Sequence, residues 1–320
     1  MSASDDGNRL VLASFNLDSF DDRPGLDPPL AARIAVLRPV LERAAADVLC
    51  LQEVNAQRLR GRYRALTALD RLLAGTRYEG YARVSTESPT GHGPHNIHNL
   101  VILSRLPLRD SGEIHHQIVR APAYRRALVE GSTVRPERVR WDRPLLYAVV
   151  ETGGGRPLWV INLHLRAPLA SFLPGERLPH LGWRSVPGWA EGFFLSSIKR
   201  IGQALEARLF VDRLLDADPQ ALVAVCGDFN AEGGEMPVRL IEAAPEDTGN
   251  PALALRRMAR LGEAEGIAPG AHTMLHAGRP LRPDHILASA ALAARHLGTR
   301  VLNEDLPDDT GPPRPQSVHA

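Results

Sequence analysis

A chain of 320 residues, 44% apolar and 23% charged, has the make-up of an ordinary globular protein and room for one large domain or two small ones. Its formal net charge of +1 gives no sign of bulk attraction to nucleic acid or to anionic membranes. Lys199 is the only lysine, and the wealth of arginine reads as compositional bias because it forms no cluster along the chain.

Residues 1–8 are polar and acidic and lack the apolar core of a secretory signal. No run approaches the ~18 apolar residues of a membrane span. Cys50 and Cys226 each lie inside an apolar run, which favours two buried free thiols over a disulfide or zinc framework. A cytoplasmic protein is expected, with a polar tail over 1–8 and one domain over 9–320, since no composition shift or internal repeat marks a boundary.

In chain order, the first predicted strand covers 10–16 and the first amphipathic helix 31–46, with Ile34, Leu37, Leu41 and Ala45 at helical spacing. A strand at 47–54 and a less regular helix at 58–73 come next. Strands follow at 99–104, 145–151 and 158–165, a helix at 195–215, and strands at 221–227 and 285–288. Each strand is a short apolar run bounded by Gly, Pro or Asp. Three segments are predicted as loops: 21–29, 85–98 with His92, His95 and His98, and 166–191 with Phe172, Trp183 and Trp189 among four prolines. The histidine triplet, broken by Gly93 and Pro94, reads as a polar loop rather than a metal cluster. Strands joined too closely for repeated crossovers suggest an α+β protein, two sheets packed together with helices outside.

Polar residues gather at the strand ends. The first strand runs into Asn16-Leu17-Asp18, the second into Gln52-Glu53. His164 lies in Asn162-Leu163-His164, Gly227-Asp228-Phe229-Asn230 closes another strand, and Pro283-Asp284-His285 opens the last. Hydrolysis of a phosphate ester requires such a set: hard oxygen ligands for a divalent cation, a base for water, and donors for developing charge. Taken singly, each has a structural alternative. His164 could be a core histidine, Asp228 and Asn230 an Asx turn, and Glu53 a helix cap. If the backbone stays extended, Asp228 and Asn230 share a side of the strand.

These runs, together with Ser317-Val318-His319, resemble the ordered motif set of the endonuclease/exonuclease/phosphatase (DNase I-like) superfamily over nearly the whole chain. The resemblance implies a four-layered α/β/β/α sandwich and a magnesium-dependent hydrolase of phosphate esters, with manganese as the alternative ion. It implies that Glu53 is the principal metal ligand with Asn16 beside it, and that Asp18 matches a further acid on the metal side. Asp228 would activate water, Asn230 would donate to the phosphate, and His164 would contact the phosphate or serve the leaving group. Asp284 would brace His319, which would stabilise the transition state. His285 has no counterpart role and is expected to be structural.

Two departures stand out. The superfamily's closing motif reads Ser-Asp-His, whereas here Val318 replaces the acid. A closing strand is expected after the histidine, but the sequence ends at Ala320. The leading expectation is a phosphodiesterase acting by in-line water attack on a nucleic acid, a phospholipid head group or a small metabolite, with no partner protein inferred. The alternative is a catalytically impaired binding or scaffold protein of the same fold. The aromatic residues Phe172, Trp183, Trp189, Phe193 and Phe194 could touch lipid, stack on a base or cover a core edge.

Overall fold

The computed structural model describes residues 9–127, 135–178, 182–262 and 272–320. The expected tail at 1–8 lies outside them. The first hundred residues build one sheet. β1 (Leu12–Phe20) and β2 (Val48–Val54) are parallel because α1 (Leu30–Ala44) carries the chain back between them. A small ribbon, β3 (Gln57–Arg58) with β4 (Arg64–Ala65), and α2 (Thr67–Leu73) come next. The sheet is completed by β5 (Ala82–Ser85) and β6 (Asn99–Ser104), in the order β1-β2-β6-β5. The helix predicted over 58–73 therefore exists only in its last two turns. Gly61, at φ 65, reverses the chain so that Leu59 N–H reaches Tyr63 O, and the apolar spacing begins only at Leu66, Leu69 and Leu72.

The second sheet takes the remaining long strands. They are β7 (Leu108–Ile114), β10 (Leu145–Val150), β11 (Leu158–His164), β12 (Leu222–Asp228), β13 (Met258–Arg260) and β16 (Asp284–Ser289), ordered β13-β16-β12-β11-β10-β7. Two ribbons lie apart: β8 (Ala123–Tyr124) with β9 (Glu137–Arg138), and β14 (Met274–His276) with β15 (Arg279–Leu281). β11 and β12 run parallel around the long α3 (Val186–Ala217), and the short α4 (Met236–Glu242), α5 (Pro245–Thr248) and α6 (Ala290–Ala293) follow.

α3 starts well before the predicted residue 195. Ser185 caps it by accepting from Gly188 N–H at 3.0 Å, and Pro187 suits its first turn. The four prolines of 166–191 made this stretch read as a loop. Gly192 is needed there because a Cβ would lie 2.5 Å from the carbonyl of Ser171.

Alternation along the strands sorts the core into three clusters. In β2, Leu49 and Leu51 face α1 and α2, while Val48 and Cys50 face the other sheet. In β12, Ala224 and Cys226 point back at the first sheet, and Val223 and Val225 pack under Ala204, Ala207 and Val211 of α3. Helix, sheet, sheet, helix is the resulting layering, as the resemblance implied. Both cysteines are buried free thiols between the sheets.

Candidate functional site

The polar strand ends of both sheets meet at one edge of the sandwich. Two backbone features turn them inward. β1 loses register with β2 between Asn16 and Phe20, with Asp18 at φ 49 and Ser19 at φ 51, so this end of the strand curls over Glu53. β2 bulges against β6 between Leu51 and Val54, with Glu53 at φ 58. Gly227 admits the opposing acid. Its φ is 136, and any Cβ would sit 1.9 Å from Leu163 O, so only glycine lets β12 deliver Asp228 beside His164.

Asn16 Nδ2 donates to Asp228 Oδ2 at 3.0 Å and to Glu53 Oε1 at 3.3 Å, tying the acids of the two sheets together. Its Oδ1 accepts from Asp18 N–H at 2.9 Å, which fixes the direction of the amide. Glu53 Oε2 accepts from the N–H and Oγ of Ser19 at 2.9 and 3.0 Å. His164 Nε2 stands 3.6 Å from Glu53 Oε1 and 3.5 Å from Asp228 Oδ2. His319 Nδ1 donates to Asp284 Oδ2 at 2.9 Å, and its Nε2 faces Asp228 Oδ2 at 3.9 Å. Thr273 Oγ1 holds the same Asp284 oxygen at 2.7 Å.

Asp228 and Asn230 do come together, but through a turn rather than through strand alternation. Asn230 has φ 49, its N–H donates to Asp228 Oδ1 at 2.7 Å, and its Nδ2 is shared between Leu165 O and Asp228 Oδ2. Asp18 sits at the rim, half-buried, in a cleft it shares with Arg33 and Val318. His285 turns away from the site, donating Nε2–H to Ala231 O at 2.8 Å and meeting the Phe229 ring edge-on.

His98 and Arg143, which the motifs left out, complete the wall. His98 Nε2–H reaches Ser19 Oγ at 3.4 Å and lies 3.6 Å from Glu53 Oε2, and its Nδ1 accepts from Arg143 Nη2 at 2.7 Å. Arg143 also donates to His164 O at 3.5 Å, and among the described residues no carboxylate lies within 4 Å of it. His92 and His95 do not join the site. The only clue to His98 was its position just before a strand. Arg143 offered none, being one arginine among many.

Charge follows from burial and neighbours. Burial opposes the Glu53 charge, but the Asn16 hydrogen bond and the Arg143 cation hold its carboxyl below the usual carboxylate range, with His164 and His98 adding to the pull only when they carry a proton. Burial, reinforced by Arg143, keeps His164 neutral, well below the ordinary range. Burial also lowers His98, which leaves Arg143 as the permanent cation facing Glu53. Burial pushes Asp228 up to about 7 against the pull of His319, and Asp284 adds to the rise. Burial disfavours a charged His319, yet Asp284 and Asp228 lift it to about 10. Burial also raises Asp18, with Arg33 opposing.

Two groups of ligand atoms fall within 4.8 Å of one another: Glu53, His164 and Asp228, and Asp228, Asp284 and His319. The first could hold a divalent cation, since Glu53 is ionised and partly open and supplies carboxylate oxygen, while His164 offers a neutral ring nitrogen that suits a borderline ion better than a strictly hard one. Asn16 fits the ligand role less well. It turns nitrogen to the acids, and presenting its oxygen would give up the Asp18 bond.

The sequence model described as the Endonuclease/Exonuclease/phosphatase family matches residues 13–306. Among solved structures, a mannosyl-6-phosphatase of Bacteroides thetaiotaomicron is 14% identical, with 88% of this chain and 86% of that one covered and a TM-score of 0.53. An endonuclease/exonuclease/phosphatase family protein of the same organism is 13% identical, covering 88% and 81% at a TM-score of 0.50. A truncated TDP2 of Caenorhabditis elegans is 17% identical, covering 88% and 83% at 0.49. No curated protein matches the sequence directly. At these identities the likeness is one of fold.

Proposed function

We propose, from the premise that this chain belongs to the Endonuclease/Exonuclease/phosphatase family, that it is a divalent-metal-dependent phosphoesterase acting on phosphodiesters by in-line attack of water. The observation that carries the reading is the convergence of Glu53, His164 and His319 on Asp228, with Asn16 bridging the two acids.

A divalent ion, magnesium or manganese, would be held by Glu53 with His164 or Asp228, and would supply neutralisation of the phosphoryl oxygens. The chain's own residues do the rest. Asp228, buried and poised near neutrality, accepts the proton of the attacking water as its oxygen bonds to phosphorus. His319, charged and braced by Asp284, offers Nε2–H to the oxygens that gain negative charge. Arg143, a half-buried cation with no carboxylate within 4 Å among the described residues, adds a second anchor for the phosphoryl group. The bond from phosphorus to the leaving oxygen then breaks opposite the water, the leaving group departs with the bonding pair and takes a proton from solvent where it needs one, and Asp228 returns its proton to solvent. Asn230 holds Asp228 through its N–H and amide, so it acts on the base before it acts on phosphate. Asp18 contributes negative charge at the rim.

Initial rates on bis(4-nitrophenyl) phosphate with magnesium, with manganese, and after chelation test the reading. Hydrolysis that disappears on chelation and returns with the metal is the expected outcome. Hydrolysis indifferent to chelation would contradict it, and complete inertness with every metal would favour a binding protein.

A further inference from the structure

The loop that leaves β11 after His164 runs along the first turns of α3 and carries side chains that the fold does not use. Leu169 is 67% exposed, Phe172 66% and Val186 75%, and Trp189, Phe193 and Phe194 stand out beside them. They form one surface. Ser171 N–H bonds Gly192 O at 2.8 Å, Ser196 Oγ bonds Ala167 O at 3.3 Å, and Val186, Trp189 and Phe193 repeat along one side of the helix. Isolated exposed apolar residues are ordinary, but a contiguous group of this size marks an interaction site.

Arginine predominates among the described charges around it, with Glu137 opposite Tyr124 and Asp142 paired to Arg166 and Lys199 as the exposed acids nearby. Arg126 reaches Pro174 O, the Arg177 guanidinium lies 4.9 Å over the Trp183 ring, and Arg184 is exposed. Between residues 165 and 198 there are two carboxylates, Glu176, half-buried, and Glu191, and both are engaged by neighbouring donors. Glu191 is buried and takes Tyr124 OH and Ala127 N–H, and Glu176 takes Ser185 Oγ. An apolar face ringed by arginine complements an anionic lipid bilayer, with the apolar groups below the head groups and the guanidinium groups among the phosphates. Single-stranded nucleic acid would use the rings but has no use for exposed Leu169 and Val186. A second copy docked two-fold on the same face would set these arginines against their own copies.

We infer that the loop after β11 and the first turns of α3 dock this protein on an anionic lipid bilayer, so that its site meets the phosphate ester of a lipid head group. The substrate half of this inference rests on the phosphoesterase reading. The loop begins at the site: it leaves β11 at His164, and Arg166 bonds Asp142, which precedes Arg143 in the chain.

Sedimentation with unilamellar vesicles, of phosphatidylcholine alone or mixed equally with phosphatidylglycerol, tests it on the full chain. The parent is expected to pellet with the mixed vesicles and to be released by salt. Trp189→Ser with Phe193→Ser, and separately Phe172→Ser, should lose about tenfold or more in vesicle affinity while hydrolysing bis(4-nitrophenyl) phosphate at the parental rate. A parent that stays in the supernatant, or variants that pellet like the parent, would overturn the proposal. So would binding to a single-stranded oligonucleotide, or a dimer, lost through the same substitutions in place of vesicle binding. Vesicle binding by a chain inert on every phosphate ester would uphold the docking and remove the catalytic reading instead.

Discussion

Glu53 occupies a left-handed backbone position that a residue with a side chain adopts at a cost of about 1 kcal/mol or more. What compensates is local: its carboxylate takes both donors of Ser19 and one from Asn16, all created by the irregular end of β1. Held ionised, below the usual carboxylate range, it is the strongest anchor for a cation. Glu53→Gln keeps the shape and removes the charge, so calorimetric titration should show magnesium affinity falling at least about tenfold, a factor worth ~1.4 kcal/mol, with the fold intact. Unchanged affinity would move the metal to the Asp284–His319 side. His285 gives a separate handle on the fold. Burial lowers it from 6.5 to about 4 against the Ala231 bond, so the folded state excludes a proton that the unfolded chain accepts. Stability from this group is complete above about pH 6.5, falls between 6.5 and 4, and levels off below, about 3 kcal/mol in all. Replacing it, His285→Gln, should flatten that part of the difference profile in urea unfolding, and parallel profiles would mean that His285 titrates freely. Residue identity was readable for the acids and for His164 and His319 because each sits in a motif. It was not readable for His98 or Arg143, whose roles come from where their loops land.

At the scale of elements, the site depends on a polar bridge between the sheets. Gln52 and Asn162 are both fully buried. Gln52 Nε2 donates to Asn162 Oδ1 at 2.8 Å, and Asn162 Nδ2 donates to Leu51 O and Val101 O at 3.0 Å each. Those carbonyls flank the bulge where β2 and β6 part and Glu53 turns in. One sheet thus satisfies the backbone that the other frees by bulging. Asn162→Leu strands Leu51 O, Val101 O and one of the two N–H groups of Gln52 Nε2, the other keeping Ser14 Oγ at 3.1 Å, and should cost about 3 kcal/mol in denaturant unfolding together with a loss of turnover. A variant within about 0.5 kcal/mol of the parent would show that water or repacking replaces the bridge. The central strands were legible because burial on both faces makes them continuous apolar runs. β7, at the sheet edge, was missed because its sequence, Leu108-Arg-Asp-Ser-Gly-Glu-Ile114, is mostly polar. The first turns of α3 were hidden by the prolines of 166–191, of which a helix start accepts Pro187.

Across the whole molecule, the site joins groups far apart in the chain. Asn16 meets Asp228 across 212 positions, and Ser317 Oγ donates to Asn16 O across 301. The strand ends could be listed from the sequence, but their convergence followed only from the ordered resemblance, which no local spacing supplies. The C-terminal segment is held at several points. Ser317 grips β1 and caps His319 N–H, His319 bridges to Met274, and Ala320 N–H reaches Thr273 O. His319 is therefore fixed over Asp228 without the acid at position 318, and that pair of residues carries the catalytic reading. The most direct test is the metal-supported rate on bis(4-nitrophenyl) phosphate for the parent, Asp228→Asn and His319→Ala, each checked for an unchanged melting transition. Both substitutions are expected to lower turnover by about 10²-fold or more, the scale of a lost general base or transition-state donor. Folded variants that hydrolyse the diester at the parental rate would contradict it.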